Sequence, residues 1–113
     1  MTTRFSINVS WSERLAADDP NGPVTREYAT GRRLVPTPGK DAALDYALNE
    51  YSRVLIDTGA QNVVSLAVTI FGQRPHSRTW FEYGEIRRPN DGGPPVTRWT
   101  GAPKGRLKVR EEQ

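Results

Sequence analysis

Residues 41–71 read DAALDYALNEYSRVLIDTGAQNVVSLAVTIF and carry two hydrophobic patterns in succession. In the first part, apolar residues recur at spacings of three and four, which predicts an amphipathic helix over residues 38–58. The apolar stripe consists of Leu44, Ala47, Leu48, Tyr51 and Leu55, with Leu48 and Leu55 at its centre. The second part, Val63 to Phe71, is almost wholly apolar or β-branched, which is typical of a central strand covered on both faces.

Both ends of this helix carry boundary signals. Thr37 is the expected N-cap, with Pro38 at the first helical position and Asp41 near the positive end of the helix dipole. Gly59 suits the position just beyond the last turn, where a left-handed backbone is common. The polar residues between these ends, Glu50 among them, are expected to lie away from the apolar stripe.

The residues before the helix predict a hairpin. Between Phe5 and Trp11, apolar residues alternate with polar ones, which indicates a half-buried strand. Residues 18–23 are rich in turn formers, and the stretch from Val24 to Leu34 is predicted as a second strand.

A loop and a fourth strand follow the central strand. Residues 72–76 include Gly, Arg, Pro and His and are expected to form the loop. Ser77 to Arg87 then alternates as a strand, which places Tyr83 on one face and both Trp80 and Ile86 on the other.

The order of the predicted elements is ββαββ, so the predicted fold class is α+β. The simplest packing is a mainly antiparallel four-stranded sheet with one helix packed on one face. Residues 1–87 are expected to form this core domain. Residues 88–113 are expected to form an extended basic C-terminal tail, because their high Pro and Gly content does not support regular structure.

The charge distribution separates the domain from the tail. The chain has 113 residues and a net charge of +3. Residues 1–86 hold nine Lys/Arg and ten Asp/Glu, whereas residues 87–113 hold seven Lys/Arg and three Asp/Glu. The positive excess therefore belongs to the tail, which indicates that the folded part is not itself a basic DNA-binding module.

Several function classes lack the residues that they need. The absence of cysteine excludes a thiolate metal site and a cysteine nucleophile, and it fits a reducing compartment. His76 is the single histidine and has no orienting partner nearby, and Leu34 and Asp41 break the pattern of a phosphate loop. We therefore expect a cytoplasmic protein without a membrane span, without enzyme activity, and without a catalytic, cofactor or metal site.

The predicted fourth strand combines aromatic residues with arginines. Trp80 begins the segment WFEY, and Arg74 and Arg78 precede it. Aromatic side chains on a sheet can stack on bases while arginines bind phosphates, so these three residues are candidate nucleic-acid contacts. The alternative is that the aromatic residues are core. Glu82 and Glu85 favour that alternative, because their carboxylates would repel a nucleic-acid backbone.

The tail holds one isolated tryptophan, Trp99, in the segment TRWTG. An indole in a basic arm commonly anchors a contact, either on a partner or folded back on the domain. We expect the tail to make the contact with the partner. The predicted partner-binding residues are Trp99, Arg98, Arg87, Arg88, Lys104 and Arg106.

These features predict a small non-enzymatic interaction or assembly module that docks through its C-terminal arm on a protein partner or on another copy of the chain. The basic residues comprise thirteen Arg and three Lys, a bias typical of a GC-rich genome. The size and composition fit an accessory or virion-associated protein of a phage or mobile element. The alternative is a nucleic-acid-binding protein that uses the basic tail and the aromatic and arginine residues from Trp80 to Arg88.

Overall fold

The computed structural model describes residues 3–14 and 25–101, together with the backbone of residues 108–110. These residues form one α-helix and an antiparallel sheet, so the predicted α+β class is confirmed. The elements in chain order are β1 (Arg4–Arg14), β2 (Thr25–Leu34), α1 (Lys40–Thr58), a 3₁₀ turn (Ala60–Asn62), β3 (Val63–Gln73), β4 (Thr79–Arg87), β5 (Val96–Trp99) and β6 (Lys108–Arg110).

The described strands form a five-stranded sheet in the order β2-β1-β3-β4-β5, and the short β6 pairs with the first residues of β4. The prediction of four strands is therefore wrong. The missed strand β5 lies in the predicted tail and pairs with Gly84–Arg87 of β4. Its four residues are too few to display an alternation in the sequence, and prolines precede them.

The central strands β1 and β3 carry the hydrophobic core. Ile7 lies opposite Ile70 and Val9 lies opposite Val68. All four side chains are fully buried in the cluster that α1 covers. Burying an aliphatic side chain of this size contributes roughly 1.5–3 kcal/mol, so this layer is a main source of stability.

The helix α1 begins at Lys40, later than predicted. Gly39 is the N-cap, at φ 107°, and no side chain caps the helix. The Gly39 carbonyl accepts the hydrogen bond of the Ala43 amide at 3.0 Å, so the first helical turn closes only after this residue. The predicted roles of Thr37 as N-cap and Pro38 as first helical residue are therefore wrong.

The predicted end of α1 is confirmed. Thr58 is its last residue, and Gly59 follows at φ 93° and donates its amide to the Leu55 carbonyl at 2.9 Å. A positive φ at this position is easily adopted only by glycine. Within the described part of the chain, no helix combines the length and the apolar character that crossing a membrane requires.

The buried face of α1 is rotated relative to the predicted stripe. Its buried residues are Ala43, Ala47, Glu50, Tyr51 and Val54. Leu48 is 41% exposed, so its predicted place at the centre of the buried stripe is wrong, and so is the predicted exposure of Glu50. Ala43 and Ala47 carry small side chains, which lets the helix approach the sheet along their line. The leucines consequently stand beside the interface.

A β-bulge interrupts the alternation of β4. The register of β4 against β3 shifts at Tyr83, which is the extra residue of the bulge. Tyr83 and Ile86 are both buried in the core under α1. The sequence alternation placed Ile86 on the same face as Trp80. That prediction is wrong because the bulge breaks the period of two.

The strand β3 continues through Gln73, so the predicted loop over residues 72–76 begins too early. Gly72 allows this extension. A Cβ at that position would lie 2.5 Å from the ring of Tyr83, so only a glycine lets the ring pack on the strand here. The remaining loop contains His76 at φ 66°.

Two leucine-to-alanine substitutions test the orientation of α1 on the sheet. Leu66 is 2% exposed, whereas Leu48 is 41% exposed. Leu66→Ala should lower the free energy of unfolding by about 2–5 kcal/mol, because it leaves a cavity in the core. Leu48→Ala should lower it by less than about 1 kcal/mol, as is usual for surface substitutions. Urea denaturation measures both values, and equal losses would contradict the observed orientation.

Candidate functional site

The face of the sheet opposite α1 is called the open face here, because no described helix covers it. It holds a groove of about 610 Å³. Small side chains of β1 and β3 contribute to this groove, namely Ser10, Ser12, Ser65, Ala67 and Thr69. The prediction that β3 is covered on both faces is therefore wrong for residues 65–69, which border the groove. Its large apolar residues Leu66, Val68 and Ile70 are buried on the helix side, and small residues alternate with them.

Trp80, a predicted nucleic-acid contact, is only 2% exposed. The Cζ atoms of Arg4 and Arg32 lie 5.7 and 5.0 Å from its ring centroid. A buried indole has no free ring face for a base to stack on. It can instead order the two guanidinium groups through cation–π contact. A nucleic-acid contact at this position would therefore involve the arginines more than the tryptophan.

Four exposed arginines form the basic end of the sheet, defined as Arg4, Arg32, Arg74 and Arg78. The register brings Arg4 close to Arg74, because Arg4 lies opposite Gln73, and Arg4 and Arg32 both lie over Trp80. The Cζ atom of Arg74 lies 5.7 Å from the ring centroid of Phe81 in β4. Sequence reasoning selected Arg74 and Arg78 but missed Arg4 and Arg32. Those two residues come from β1 and β2, and only the strand order places them beside β4.

Glu82 and Glu85 are bound by two of the predicted partner-binding arginines. Arg98 Nη2 lies 3.4 Å from Glu82 Oε2 and 3.3 Å from Glu85 Oε1. Arg87 Nη2 lies 2.7 Å from Glu85 Oε2. Exposed ion pairs of this kind contribute only about 0–1 kcal/mol to stability. The arginine charges offset the negative charges of the two carboxylates. This weakens the repulsion expected between strand β4 and a nucleic-acid backbone.

Trp99, the predicted anchor of the arm, is half-buried against its own domain. It lies opposite Gly84, where a Cβ would come within 2.8 Å of the indole. The ring centroids of Phe5 and Tyr83 lie 5.9 and 5.8 Å from that of Trp99. Lys40 Nζ lies 5.3 Å from the indole centroid. This part of the arm is therefore folded back on the domain, and a contact of Trp99 with a partner stays a prediction.

Arg88, another predicted partner-binding residue, contacts the backbone at the start of β3. Its Nη1 donates hydrogen bonds of 3.0 Å to the carbonyls of Ala60 and Val63. Its charge also acts on Tyr51. Burial raises the pKa of the Tyr51 phenol above its ordinary value, and the Arg88 guanidinium partly opposes this shift. Tyr51 is therefore neutral at physiological pH, which suits its place in the core.

The remaining predicted site residues add no catalytic geometry. Lys104 and Arg106 lie outside the described residues. His76 is exposed in its turn. Among residues 3–14 and 25–101, no group of three His, Asp or Glu side chains could hold a metal ion. The absence of an enzyme activity and of a cofactor stays a prediction.

A cleft of about 190 Å³ lies between α1 and β2, on the helix side of the sheet. Glu50 lines it with a side chain that is 9% exposed and binds Arg33 at 3.0 Å and Arg53 at 3.7 Å. These pairs explain why α1 buries a glutamate, since an unpaired buried charge is strongly unfavourable. Trp11 and Tyr28 stack next to the cleft, with centroids 5.4 Å apart and an interplanar angle of 20°.

The two edges of the sheet differ. At one edge, β5 and β6 pair with β4. At the other, β2 is the last strand of the described sheet, and most of its residues are exposed. Its ladder with β1 contains an irregularity between Asn8 and Ser10, where Gly31 has φ 78°. The backbone of β2 that faces away from β1 is called the β2 edge below.

The chain was compared with known proteins in three ways. No protein-family model matches it, and neither a curated protein nor a solved structure matches it.

The packing of Trp99 can be tested by substitution. Trp99→Ala should lower the free energy of unfolding by about 2–3 kcal/mol, somewhat less than the ~3–5 kcal/mol of fully buried aromatic residues. Arg98→Ala, at the neighbouring exposed position, should cost less than about 1 kcal/mol. Thermal melts followed by circular dichroism compare the two variants. A Trp99→Ala protein that melts like the wild type would contradict the docking of β5 on the core.

Proposed function

We propose that this protein is a non-enzymatic interaction module that binds another polypeptide through the parts of the sheet that its own chain leaves uncovered. The polypeptide is a partner protein or a second copy of the chain. The observation that carries the proposal is the asymmetry of the sheet. One face is packed under α1 and one edge is paired with β5 and β6, whereas the groove of the open face and the β2 edge are not covered by any described element.

The character of the open face supports a polypeptide more than a small molecule. Small-molecule sites are usually concave and mostly apolar. The groove on this face includes Trp11 and Tyr28 in its lining, but more of its surface is polar, from short side chains and from charged groups such as Glu27, Glu85 and Arg87. Short side chains let a second backbone approach closely, and charged groups at the border fit the polar rim of a protein interface.

The proposed contact with the partner lies on the sheet and not on the C-terminal arm. Val96–Trp99 is used within the domain as β5, so this segment is not an unattached docking device. Docking through the rest of the arm, and an origin in a phage or mobile element, stay predictions.

Site-specific photo-crosslinking in the cells that carry the gene tests this proposal. A photoreactive amino acid at Ser65, on the open face, or at Ala29, on β2, should form one recurrent adduct with a polypeptide. The matched control is Ser52, which is exposed on the outer side of α1 and should not form that adduct. Mass spectrometry of the adduct distinguishes a second copy from a different protein. Equal crosslinking at all three positions would contradict the proposal.

A second candidate function is nucleic-acid binding, and one observation favours it. The glutamates of β4 are bound by Arg87 and Arg98. At the basic end, Arg4 and Arg32 have no acidic partner among the described residues, and both lie over the ring of Trp80. Such a cluster can bind the phosphates of a single strand, with affinity dominated by counterion release.

Salt dependence tests the second candidate. Binding of a fluorescent single-stranded oligonucleotide should weaken steeply as salt rises. The double variant Arg4→Gln/Arg32→Gln should reduce the slope of log K against log salt by about 1.4, since each phosphate contact on a single strand contributes ~0.7. The control Arg87→Gln/Arg98→Gln removes the same charge from arginines that are already paired, and it should change the slope less. Absence of binding at about 50 mM salt would exclude this function.

A further inference from the structure

We propose that the β2 edge, together with the cleft between α1 and β2, binds an extended acidic segment of a partner protein as an additional strand of the sheet. This inference rests on the proposed interaction function and names its site and the chemistry of its partner. It concerns the edge and the helix side of the sheet, so it is separate from the open face.

The first support is the backbone of β2. In a strand at the border of a sheet, every second residue directs its N–H and C=O groups away from the neighbouring strand. β2 has ten residues and is the last strand on its side of the described sheet, so these groups have no strand partner among the described residues. Another extended backbone is the partner that satisfies such a row of groups, as in recognition by strand addition.

The second support is the position and size of the cleft. Along an added strand, every second side chain points to the helix side of the sheet, where the cleft lies next to β2. Its volume of about 190 Å³ is below the ~300–1,000 Å³ of usual ligand sites, so it suits one side chain more than a free ligand. Val9, Trp11 and Val54 give it apolar surface. An aliphatic or aromatic side chain is therefore the expected occupant.

The third support is charge. β2 carries Arg26, Arg32 and Arg33 against the single acidic residue Glu27. Arg26, Arg32 and Glu27 are exposed and have no described ion pair. Arg33 is bound to Glu50. A segment with Asp or Glu around its apolar residue complements this edge, because opposite charges on neighbouring strands stabilise pairing and like charges destabilise it.

The same charge disfavours a second copy as the occupant of this site. Pairing β2 with the β2 of another molecule would place two strands with excess positive charge side by side. The bulge at Gly31 would interrupt both strands of that pair. Bulges and charges on edge strands are the usual protection against self-association. A segment of a different protein meets neither obstacle.

Short fluorescein-labelled peptides provide the test with the full chain. The probe peptides alternate Thr with Asp or Glu around a central Leu, Ile, Phe or Tyr. The control peptides carry Lys in place of every acidic residue. Fluorescence anisotropy should show binding of at least one acidic peptide and weaker binding of its basic counterpart by about tenfold or more, a difference of ~1.4 kcal/mol. Equal binding of the two sets, or binding of neither, would overturn the proposal.

Variants and hydrogen exchange then locate the peptide. Thr58→Trp should fill the cleft and weaken binding by about tenfold, or ~1.4 kcal/mol, whereas Ser52→Trp on the outer side of α1 should leave binding unchanged. Arg26→Glu is a second variant that does not touch the core, and it should also weaken binding of the acidic peptide. Amide exchange should slow in β2 and stay unchanged in β5 when the peptide is bound. Binding that leaves β2 exchange unchanged would overturn strand addition. The crosslink from Ser65 on the open face is an independent readout, so this site can fail while the proposed function holds.

Discussion

The pairing of β1 with β3 under α1 is the interaction on which the other parts of the fold depend. Ile7 and Val9 of β1 lie opposite Ile70 and Val68 of β3 in the middle of the sheet. Each central strand then offers its other side to an outer strand, β2 next to β1 and β4 next to β3. Because α1 packs mainly on the central strands, the outer strands need other cover. The outer strands β4 and β2 are covered in different ways.

On the β4 side, packed aromatic residues provide this cover. Gly72 and Gly84 lack the Cβ atoms that would collide with Tyr83 and Trp99, so these rings can pack directly on the strands. Phe5 contacts both rings and joins them to the central core. The cluster attaches β5, which in turn covers an edge of the sheet.

On the β2 side, the stacked rings of Trp11 and Tyr28 are accompanied by a cluster of charged side chains. Arg33 of β2 and Arg53 of α1 meet at Glu50, and these groups line a cleft that remains between the helix and the strand. Ion pairs fix the distance between α1 and β2 without filling the space between them. They also need hydration or paired geometry to be favourable, which a continuous apolar layer does not. The less complete packing on this side is therefore a physical consequence of how Glu50 is compensated.

The sequence predicted the features that depend on local patterns. The spacing of apolar residues located α1, Gly59 located its end, and the alternation from Phe5 to Trp11 located β1. Features that depend on strand neighbours were not predictable in this way. The bulge at Tyr83 reverses the side of Ile86, and it arises from the pairing of β4 with β3.

The same reason explains what was missed at the candidate sites. The spacing of apolar residues predicts the buried side of a helix only to within the width of the apolar stripe. It could therefore not show that Glu50 is buried and Leu48 is exposed. Glu50 is buried because Arg33, which belongs to another element, binds it. Arg32 reaches Trp80 only because β2 and β1 lie on the same side of β4 in the strand order.

Arg32 belongs both to the surface proposed to bind a nucleic acid and to the strand proposed to bind an acidic peptide. Its guanidinium lies over Trp80 at the basic end, while its backbone belongs to β2. A nucleic acid and an acidic peptide would both be attracted by this charge, so attraction alone does not distinguish them. The backbone of β2 distinguishes the two partners. Unpaired N–H and C=O groups along a strand are satisfied by an extended peptide and not by a chain of phosphates. Under the proposed strand addition, the β2 edge would give this basic surface a preference for an acidic peptide over a nucleic acid.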